Sequence, residues 1–255
     1  MDLQGRIALV TGGATGIGRA TVLALAQAGV RGVAINYRTT LAEAEALAAE
    51  VEARGVEALG VQADVRRDDE VRGMVAQVEA RFGRLDVLVN NAGTTRWIPL
   101  TDLDALTDQV WDEILDVNLK GAFRCTRAAA PLLAATGGMV VNVASISGVL
   151  APRTMSSLAY GAAKAALIYL TRGLAVALAP RVRVNAVAPA FTDTRWMQGH
   201  FGDRYPEVVA AAAAAYPLGR VASPDEVARA IVGLVTGGDF ITGQTLIVDG
   251  GLSLS

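Results

Sequence analysis

Short apolar runs without polar alternation, each followed by a helical stretch, constrain this chain more than any other feature. Ile7-Ala8-Leu9-Val10 leads into a helical pattern in which Ile17, Ala20, Thr21, Ala24, Leu25 and Ala28 share one face, stopped by Gly29. Val33-Ala34-Ile35 precedes an Ala/Glu helix from Leu41 to about Arg54. Ala58 to Val61 precedes an amphipathic helix carrying Val71, Met74, Val75, Val78 and Phe82. Leu85 to Val89, Met139 to Val143, Val182 to Val187 and Thr245 to Val248 continue the series, separated by helices around 112–135, 158–179 and 224–236. Strands that are apolar on both faces must be covered on both faces, so the pattern predicts a parallel sheet between two helical layers. Right-handed crossovers wind such a sheet in both directions and place ligands at the carboxyl ends of its strands. The fold class is α/β, a single doubly wound domain over 1–255 with a parallel sheet of about seven strands. No Pro/Ser-rich linker or repeat divides it, and Val208-Val209 with the alanines after it reads as plain helix.

Composition narrows the function classes. With 52% hydrophobic and 19% charged residues the chain is globular and well buried. A net charge of −2 gives no electrostatic ground for a nucleic-acid partner or an anionic membrane. Cys125 is the only cysteine and His200 the only histidine. That rules out an intramolecular disulfide and a multi-histidine metal cage, and no metal is expected. The N-terminus runs straight into an apolar strand, and no apolar stretch reads as the ~18–20 residues of a membrane span. The expectation is a soluble cytoplasmic protein.

Two local patterns carry chemistry. Thr11-Gly12-Gly13-Ala14-Thr15-Gly16-Ile17-Gly18 lies between the first strand and the first helix. Glycines there allow a tight turn and close backbone approach to a pyrophosphate, which the unpaired N–H groups of the helix start would hold. The second pattern is Tyr160-Gly161-Ala162-Ala163-Lys164. Among 23 Lys plus Arg only Lys120 and Lys164 are lysines, and this one sits four residues from a tyrosine, on the same helical face. An ammonium beside a phenol lowers its pKa and suits it to proton transfer, a task for a compact charge and not for a guanidinium fork.

Taken in order, the motifs resemble the short-chain dehydrogenase/reductase family nearly end to end. Gly12-x3-Gly16-x-Gly18 matches its T-G-x3-G-x-G turn, Asn90-Asn91-Ala92-Gly93 its N-N-A-G, and Tyr160 with Lys164 its Y-x3-K pair. Asp64-Val65 resembles the family's adenine-contacting pair, Asn118 its active-site asparagine and Ser145 its catalytic serine, with Ser147 as the nearby decoy. Pro189 to Thr194 resembles P-G-x3-T with Ala190 in place of Gly, which weakens the assignment of Thr194 to the nicotinamide amide. Ile241-Thr242-Gly243 and Asp249-Gly250-Gly251 resemble the usual C-terminal end. The resemblance implies a Rossmann-type domain with a segment at about 190–217 covering the substrate. The implied cofactor set is Gly12, Thr15, Gly16, Ile17, Gly18, Arg38, Asp64, Val65, Asn91, Ala92, Gly93, Tyr160, Lys164, Pro189 and Thr194. The implied catalytic set is Asn118, Ser145, Tyr160 and Lys164. It also implies a homotetramer built on the helices around 112–135 and 158–179. Ser145–Tyr160 and Gly93–Asn118 are wider apart than the family norm, so enlarged loops beside the pocket are expected.

Hydride transfer needs a nicotinamide in van der Waals contact with a carbonyl carbon, and a proton for the oxygen. Tyr160 would supply that proton, Ser145 would steady the developing alkoxide, and the resemblance gives Lys164 the nicotinamide ribose and Asn118 a relay water. The second strand ends Asn36-Tyr37-Arg38, with no acid for a ribose 2′-hydroxyl and a cation for a 2′-phosphate. NADP(H) is therefore favoured, with NAD(H) possible, since Thr15 stands where many NADP-using relatives carry a second basic residue. Substrate-pocket candidates are Trp97, Leu150 and Trp196, with Arg96, Val149, Arg153, Met197, His200 and Phe201 nearby. The two tryptophans read equally as pocket walls or packing, Arg96 as a carboxylate grip or an ordinary loop cation, and His200 as a loop residue. The function expected is hydride transfer between the nicotinamide and a small carbonyl or secondary alcohol. A 3-oxoacyl-(acyl-carrier-protein) reductase is the alternative, disfavoured because Leu132 to Gly138 offers no cation to an acidic carrier and only Arg181 and Arg183 lie on the comparable later turn. A non-catalytic dinucleotide sensor is the alternative of another class.

Overall fold

The strand Ile7–Val10 (β1) is buried at every position, and so are Val87–Asn90 (β4) and Met139–Val143 (β5). Their lack of alternation follows from helices on both sides. The computed structural model of the chain describes residues 1–151 and 156–254. Seven parallel strands form one sheet in the order β3-β2-β1-β4-β5-β6-β7, where β2 is Gly32–Tyr37, β3 Glu57–Gln62, β6 Arg183–Pro189 and β7 Thr245–Val248. The chain runs outward from β1 to β3, returns, and continues from β4 to β7, so the direction of winding reverses between β1 and β4. Crevices at such a reversal receive ligands.

One face is covered by Gly16–Gln27 (α1), Leu41–Glu52 (α2) and Pro224–Thr236 (α9), with Val22, Leu25, Leu47, Val227 and Ile231 in a shared core. The other face is covered by Asp68–Phe82 (α3), Ala122–Thr136 (α5) and Leu158–Leu178 (α6), where Met74, Val78, Leu133 and Ala175 pack against the sheet. Asp108–Leu115 (α4) lies before α5, and Arg195–Phe201 (α7) and Tyr205–Ala215 (α8) lie between β6 and α9.

The expected helix at 112–135 is not one helix. α4 and α5 are joined by a π-helical turn, Asp116–Gly121. An extra residue in a helical turn is invisible to a 3.6-residue pattern, and such turns gather at functional sites. A second correction concerns α6. Its 21 residues have a mean hydropathy of 1.3, so by length and composition this helix is long and apolar enough for a membrane. Here it packs on the sheet with Ala163, Leu167 and Thr171 buried, while Tyr169 and Val176 face outward.

Candidate active site

The β1–α1 turn depends on glycine at three points. Gly12 and Gly16 have φ of 58° and 53°, where side-chain-bearing residues are strained. A Cβ at Gly18 would lie 2.2 Å from the Gly12 carbonyl oxygen and 2.6 Å from Asn91 Nδ2, so the helix start presses directly on the turn. Thr15 stands exposed at the N-cap of α1 without capping it, and the first turn holds no acid. The free N–H groups and dipole end of α1 are thus open to an anion. Ile17 packs its side chain into the core, so only its backbone is offered here.

The second strand supplies a residue the motif reading missed. Asn36 is buried, donates from Nδ2 to the carbonyls of Val61 (3.3 Å) and Ala63 (3.0 Å), and accepts the Gly12 N–H at 3.2 Å. Arg38, two residues on, is exposed and makes no ion pair among the described residues. Its guanidinium is therefore available at the end of β2.

Three of the residues assigned to the cofactor have other work. Asn91 donates from Nδ2 to the carbonyls of Thr11 and Gly12, both at 3.0 Å, riveting the loop after β4 to the glycine turn. Thr11 Oγ1 completes that joint by accepting the Asn91 and Ala92 N–H groups at 2.9 and 3.0 Å. Asp64 receives a fork from Arg66, whose Nε lies 2.9 Å from Oδ2, and this bond holds the carboxyl below its ordinary range. Val65 is buried, and its side chain would be 2.8 Å from a Cβ on Gly121. With these bonds and contacts the side chains of Asn91, Asp64 and Val65 also shape the crevice.

The catalytic candidates converge at the carboxyl ends of β4 and β5. Asn118 sits on the π-helical turn and is 1% exposed. Its Nδ2 donates to the carbonyls of Thr94 and Ile114, both at 2.8 Å, and its Oδ1 accepts the Thr94 N–H at 3.3 Å. Lys164, buried on α6, donates from Nζ to the Val143 carbonyl at 2.8 Å. Gly93 joins the two, because a Cβ there would be 3.0 Å from Asn118 Oδ1 and 3.8 Å from Lys164 Nζ. Ser145 leaves β5 and accepts the Ser147 N–H on Oγ at 3.2 Å, which makes Ser147 a turn residue. Gly148 then lets that turn sit on α6, since a Cβ would come within 2.6 Å of the backbone at Lys164 and Ala165. Ser157 caps α6 by accepting the Tyr160 N–H at 3.2 Å, fixing the first turn that carries the phenol.

The electrostatics differ from expectation in one respect. Lys164 Nζ lies 5.5 Å from the centre of the Tyr160 ring, yet the phenol is not lowered. Burial pushes the Tyr160 pKa up to about 12, opposed by hydrogen bonding with Ser145. Burial brings Lys164 down to about 8. The ammonium is engaged by the Val143 carbonyl, and desolvation outweighs its field at the phenol. At neutral pH the pair is therefore an intact phenol beside an intact ammonium, a proton donor with its charge support.

Around this centre, Pro189 ends β6 and Ala190 donates its N–H to Val248 O at 3.0 Å, so alanine is compatible with the strand end. Thr194 caps α7 by accepting the Met197 N–H at 3.4 Å, and its methyl would lie 3.6 Å from a Cβ on Gly16. That places the start of α7 over the glycine turn. Trp97 and Trp196 come together, centroids 6.1 Å apart, in a canopy with His200, Phe201, Phe191 and Tyr205. Arg96 is paired with Glu113 at 2.8 Å and is not a free carboxylate grip. Leu150 is half-buried, with its N–H on Ile146 O at 2.8 Å. Val149 instead lines a groove of about 710 Å³ between α6 and β7, with Ile168, Val176 and Ile247. Arg153 lies outside the described residues.

The residues fit a nicotinamide dinucleotide: glycine positions that a Cβ would fill, an uncapped helix start, and Lys164 with Gly93 beside the crevice. The comparisons agree. The family description that matches, enoyl-(acyl carrier protein) reductase, spans residues 12–253. A Streptomyces violaceoruber protein named as ketoacyl reductase 2 of the granaticin polyketide synthase is 42% identical over 249 residues, covering 97% of this chain and 96% of its own. A 3-oxoacyl-[acyl-carrier-protein] reductase of Synechocystis sp. is 41% identical over 254 residues, with 98% of each chain covered. A crystal structure from Burkholderia xenovorans, described among the short-chain dehydrogenases/reductases, superposes with a TM-score of 0.90 at 37% identity, covering 98% of each chain. The ordered motifs, the doubly wound sheet and these relatives together show that the chain belongs to the short-chain dehydrogenase/reductase family of nicotinamide-dependent oxidoreductases.

Proposed function

We propose that this protein reduces a small free carbonyl compound with NADPH, in the cytoplasm, as a homotetramer. The observation that carries the chemistry is the meeting of Ser145, Tyr160, Lys164 and Asn118 where β4 and β5 end. A reduced nicotinamide bound in the crevice supplies the hydride. Tyr160, held protonated by burial, donates the proton to the carbonyl oxygen, and Ser145 Oγ stabilises the charge developing there. Lys164 keeps a positive charge behind the phenol, and Asn118 holds the loop at Thr94 in register with it. The choice of NADPH rests on Arg38, exposed and without an ion-pair partner among the described residues.

The preference for a free substrate rests on where the arginines are engaged. Arg183 donates to the carbonyls of Ile241 and Val235, both at 3.1 Å. Arg124 pairs with Asp116, and Arg127 with Asp68. These three are neutralised or turned inward, while Arg172 and Arg181 stay exposed without an ion pair among the described residues, a sparse positive surface for an acidic carrier. A 3-oxoacyl thioester is the second reading, favoured by the names of the relatives at 41% and 39% identity.

The test follows NADPH and NADH oxidation with aromatic ketones, β-keto esters, quinones and a 3-oxoacyl thioester. NADPH-dependent turnover of a free ketone or ester, lost in Tyr160→Phe, is the expected result. In Arg38→Ala the KM for NADPH should rise about 10- to 100-fold, the value of one or two charge-assisted bonds, with NADH little affected. A preference for the thioester would select the second reading, and NADH preference in the parent would overturn the role of Arg38.

A further inference from the structure

Segment 191–216 leaves the sheet after β6, and its two ends are clamped together. Tyr216 Oη accepts the Phe191 N–H at 3.1 Å, Ala222 donates its N–H to Phe191 O at 3.3 Å, and Asp193 donates its N–H to Ala222 O at 2.9 Å. Inside the segment, Asp193 Oδ1 accepts from Gln198 Nε2 at 2.9 Å and from Tyr205 Oη. The excursion is thus a folded unit on a fixed stem. Its far side reaches the loop after β4. Since β4 and β6 flank β5 in the sheet, a bridge between these two loops crosses the end of β5, where Ser145 stands.

The two sides of that bridge are held very differently. Trp97 is on a pinned loop: Asn118 clasps the backbone of Thr94, Thr95 Oγ1 hydrogen-bonds Ser156 Oγ at 2.8 Å, and Ile98 donates its N–H to Ser156 O at 2.7 Å. The excursion meets it through rings. Trp97 stacks on His200 with centroids 4.0 Å apart and planes 9° apart, and Phe201 meets the same indole edge-on at 5.3 Å. Among the described residues no hydrogen bond or ion pair joins residues 92–107 to residues 191–216. Two of the chain's three tryptophans and its single histidine are gathered at this one bridge.

We propose that the Trp97–His200 stack is a latch: a pinned indole and a carried imidazole that hold the excursion shut across the end of β5, so that exchange of small molecules beneath it waits on their separation. Its placement over a reaction site rests on the function proposed above; its existence as a latch does not. A stacked aromatic pair shifts an open–closed balance by about two- to twelve-fold. That is enough to govern exchange without freezing the segment closed. Gly202, with φ of 52°, follows α7 and marks where the segment turns past the latch.

The test uses the full chain with His200→Ala, which removes the ring, and His200→Phe, which keeps a ring for the stack. Trypsin reports opening through Arg195 and Arg204, which are exposed but lie in the helix Arg195–Phe201 and the turn Gly202–Arg204. Cleavage therefore needs this backbone to loosen from its ring contacts with Trp97. His200→Ala is expected to be nicked there about two- to twelve-fold faster than the parent, and His200→Phe at the parental rate. With NADPH and a turned-over ketone, KM should rise by a similar factor in His200→Ala while the single-turnover rate of hydride transfer stays unchanged. Nicking of His200→Ala at the parental rate, or of His200→Phe as fast as His200→Ala, overturns the latch. So does a fall in hydride transfer with nicking unchanged, which would put the imidazole in the chemistry. The proteolysis arm reads out whether or not any carbonyl is turned over, so a wrong substrate class cannot pass for a failed latch.

Discussion

Asn118→Asp puts the geometry of the π-helical turn to a quantitative test. Asparagine there donates two hydrogen bonds of 2.8 Å, to Thr94 O and Ile114 O, from a position 1% exposed. Aspartate has the same shape and no donor, and as an anion it would face two carbonyl oxygens out of water. A carboxyl so placed takes up a proton sooner than remain charged. With an unfolded pKa of about 3.9 and 1.36 kcal/mol per unit, that protonation costs ~4 kcal/mol at pH 7 and ~1.5 kcal/mol at pH 5. One acid proton serves only one of the two carbonyls, which adds ~1 kcal/mol for the bond lost. The expected destabilisation is therefore ~5 kcal/mol at pH 7 and ~2.5 kcal/mol at pH 5. The sign follows from linkage. The folded variant binds a proton that the unfolded chain has released, so the penalty grows as pH rises above 3.9 and levels off only above the raised folded pKa. Urea unfolding at one protomer concentration and both pH values measures it, with Asn118→Ala as the control that lacks the titrating group. If Asn118→Asp follows the pH dependence of Asn118→Ala, or matches the parent at pH 7, the hydrogen-bond account of this turn is wrong.

Lys164 sets a limit on the pH range of reduction. Its pKa is depressed to about 8 while the Tyr160 phenol stays protonated to about 12, so kcat/KM for reduction should be flat below pH 8 and fall above it. The folded chain sheds this proton before the unfolded chain does, so the cost of burying the ammonium is relieved, and stability gains, between about 8 and 10.5. Lys164→Arg should remove the falling limb along with much of the activity, and a limb unchanged in that variant would assign it elsewhere. Gly18→Ala should abolish tight NADPH binding, because its Cβ at 2.2 Å from Gly12 O and 2.9 Å from Gly13 Cα meets backbone that cannot swing aside. Titration of NADPH fluorescence checks this, and a parental Kd would refute the cradle.

Much of the framework was legible before any coordinates. Strands β5 and β7 and helix α9 lie where the periodicity puts them, because apolar runs and amphipathic helices are written in nearest-neighbour pattern. Strand β7, however, at the edge of the sheet, leaves Leu246 and Ile247 exposed and is not covered on both faces as expected. The glycine turn and the Tyr160–Lys164 pair were legible for a similar reason, since a positive φ or a shared helical face constrains residue type at fixed spacing. The asparagines buried inside β2, β5 and β6 were not singled out. Asn36, Asn142 and Asn185 are each buried in a strand and bond to a neighbouring strand, helix or loop: Asn36 to the glycine turn at Gly12 and to Val61 of β3, Asn142 to Asn90 and Thr171, Asn185 to Ile241 and Gln244. One polar residue repeated inside strand after strand was a signal that a search for motifs passed over.

Other properties depend on partners far away in the chain. The sequence marks Asn91 for the cofactor crevice, but does not show that its Nδ2 ties the crevice to Thr11 and Gly12, 80 and 79 positions earlier. It carries Tyr160 as a phenol lowered by a lysine, but burial reverses the direction. Trp97 and His200, more than a hundred residues apart, meet only because β4 and β6 lie on either side of β5. Hydrophobic period, glycine conformation and helical spacing are local, and a local code can be read from one chain. Which donor finds which acceptor, how much water is excluded, and which rings stack are set by the packing of distant segments, and those belong to the fold.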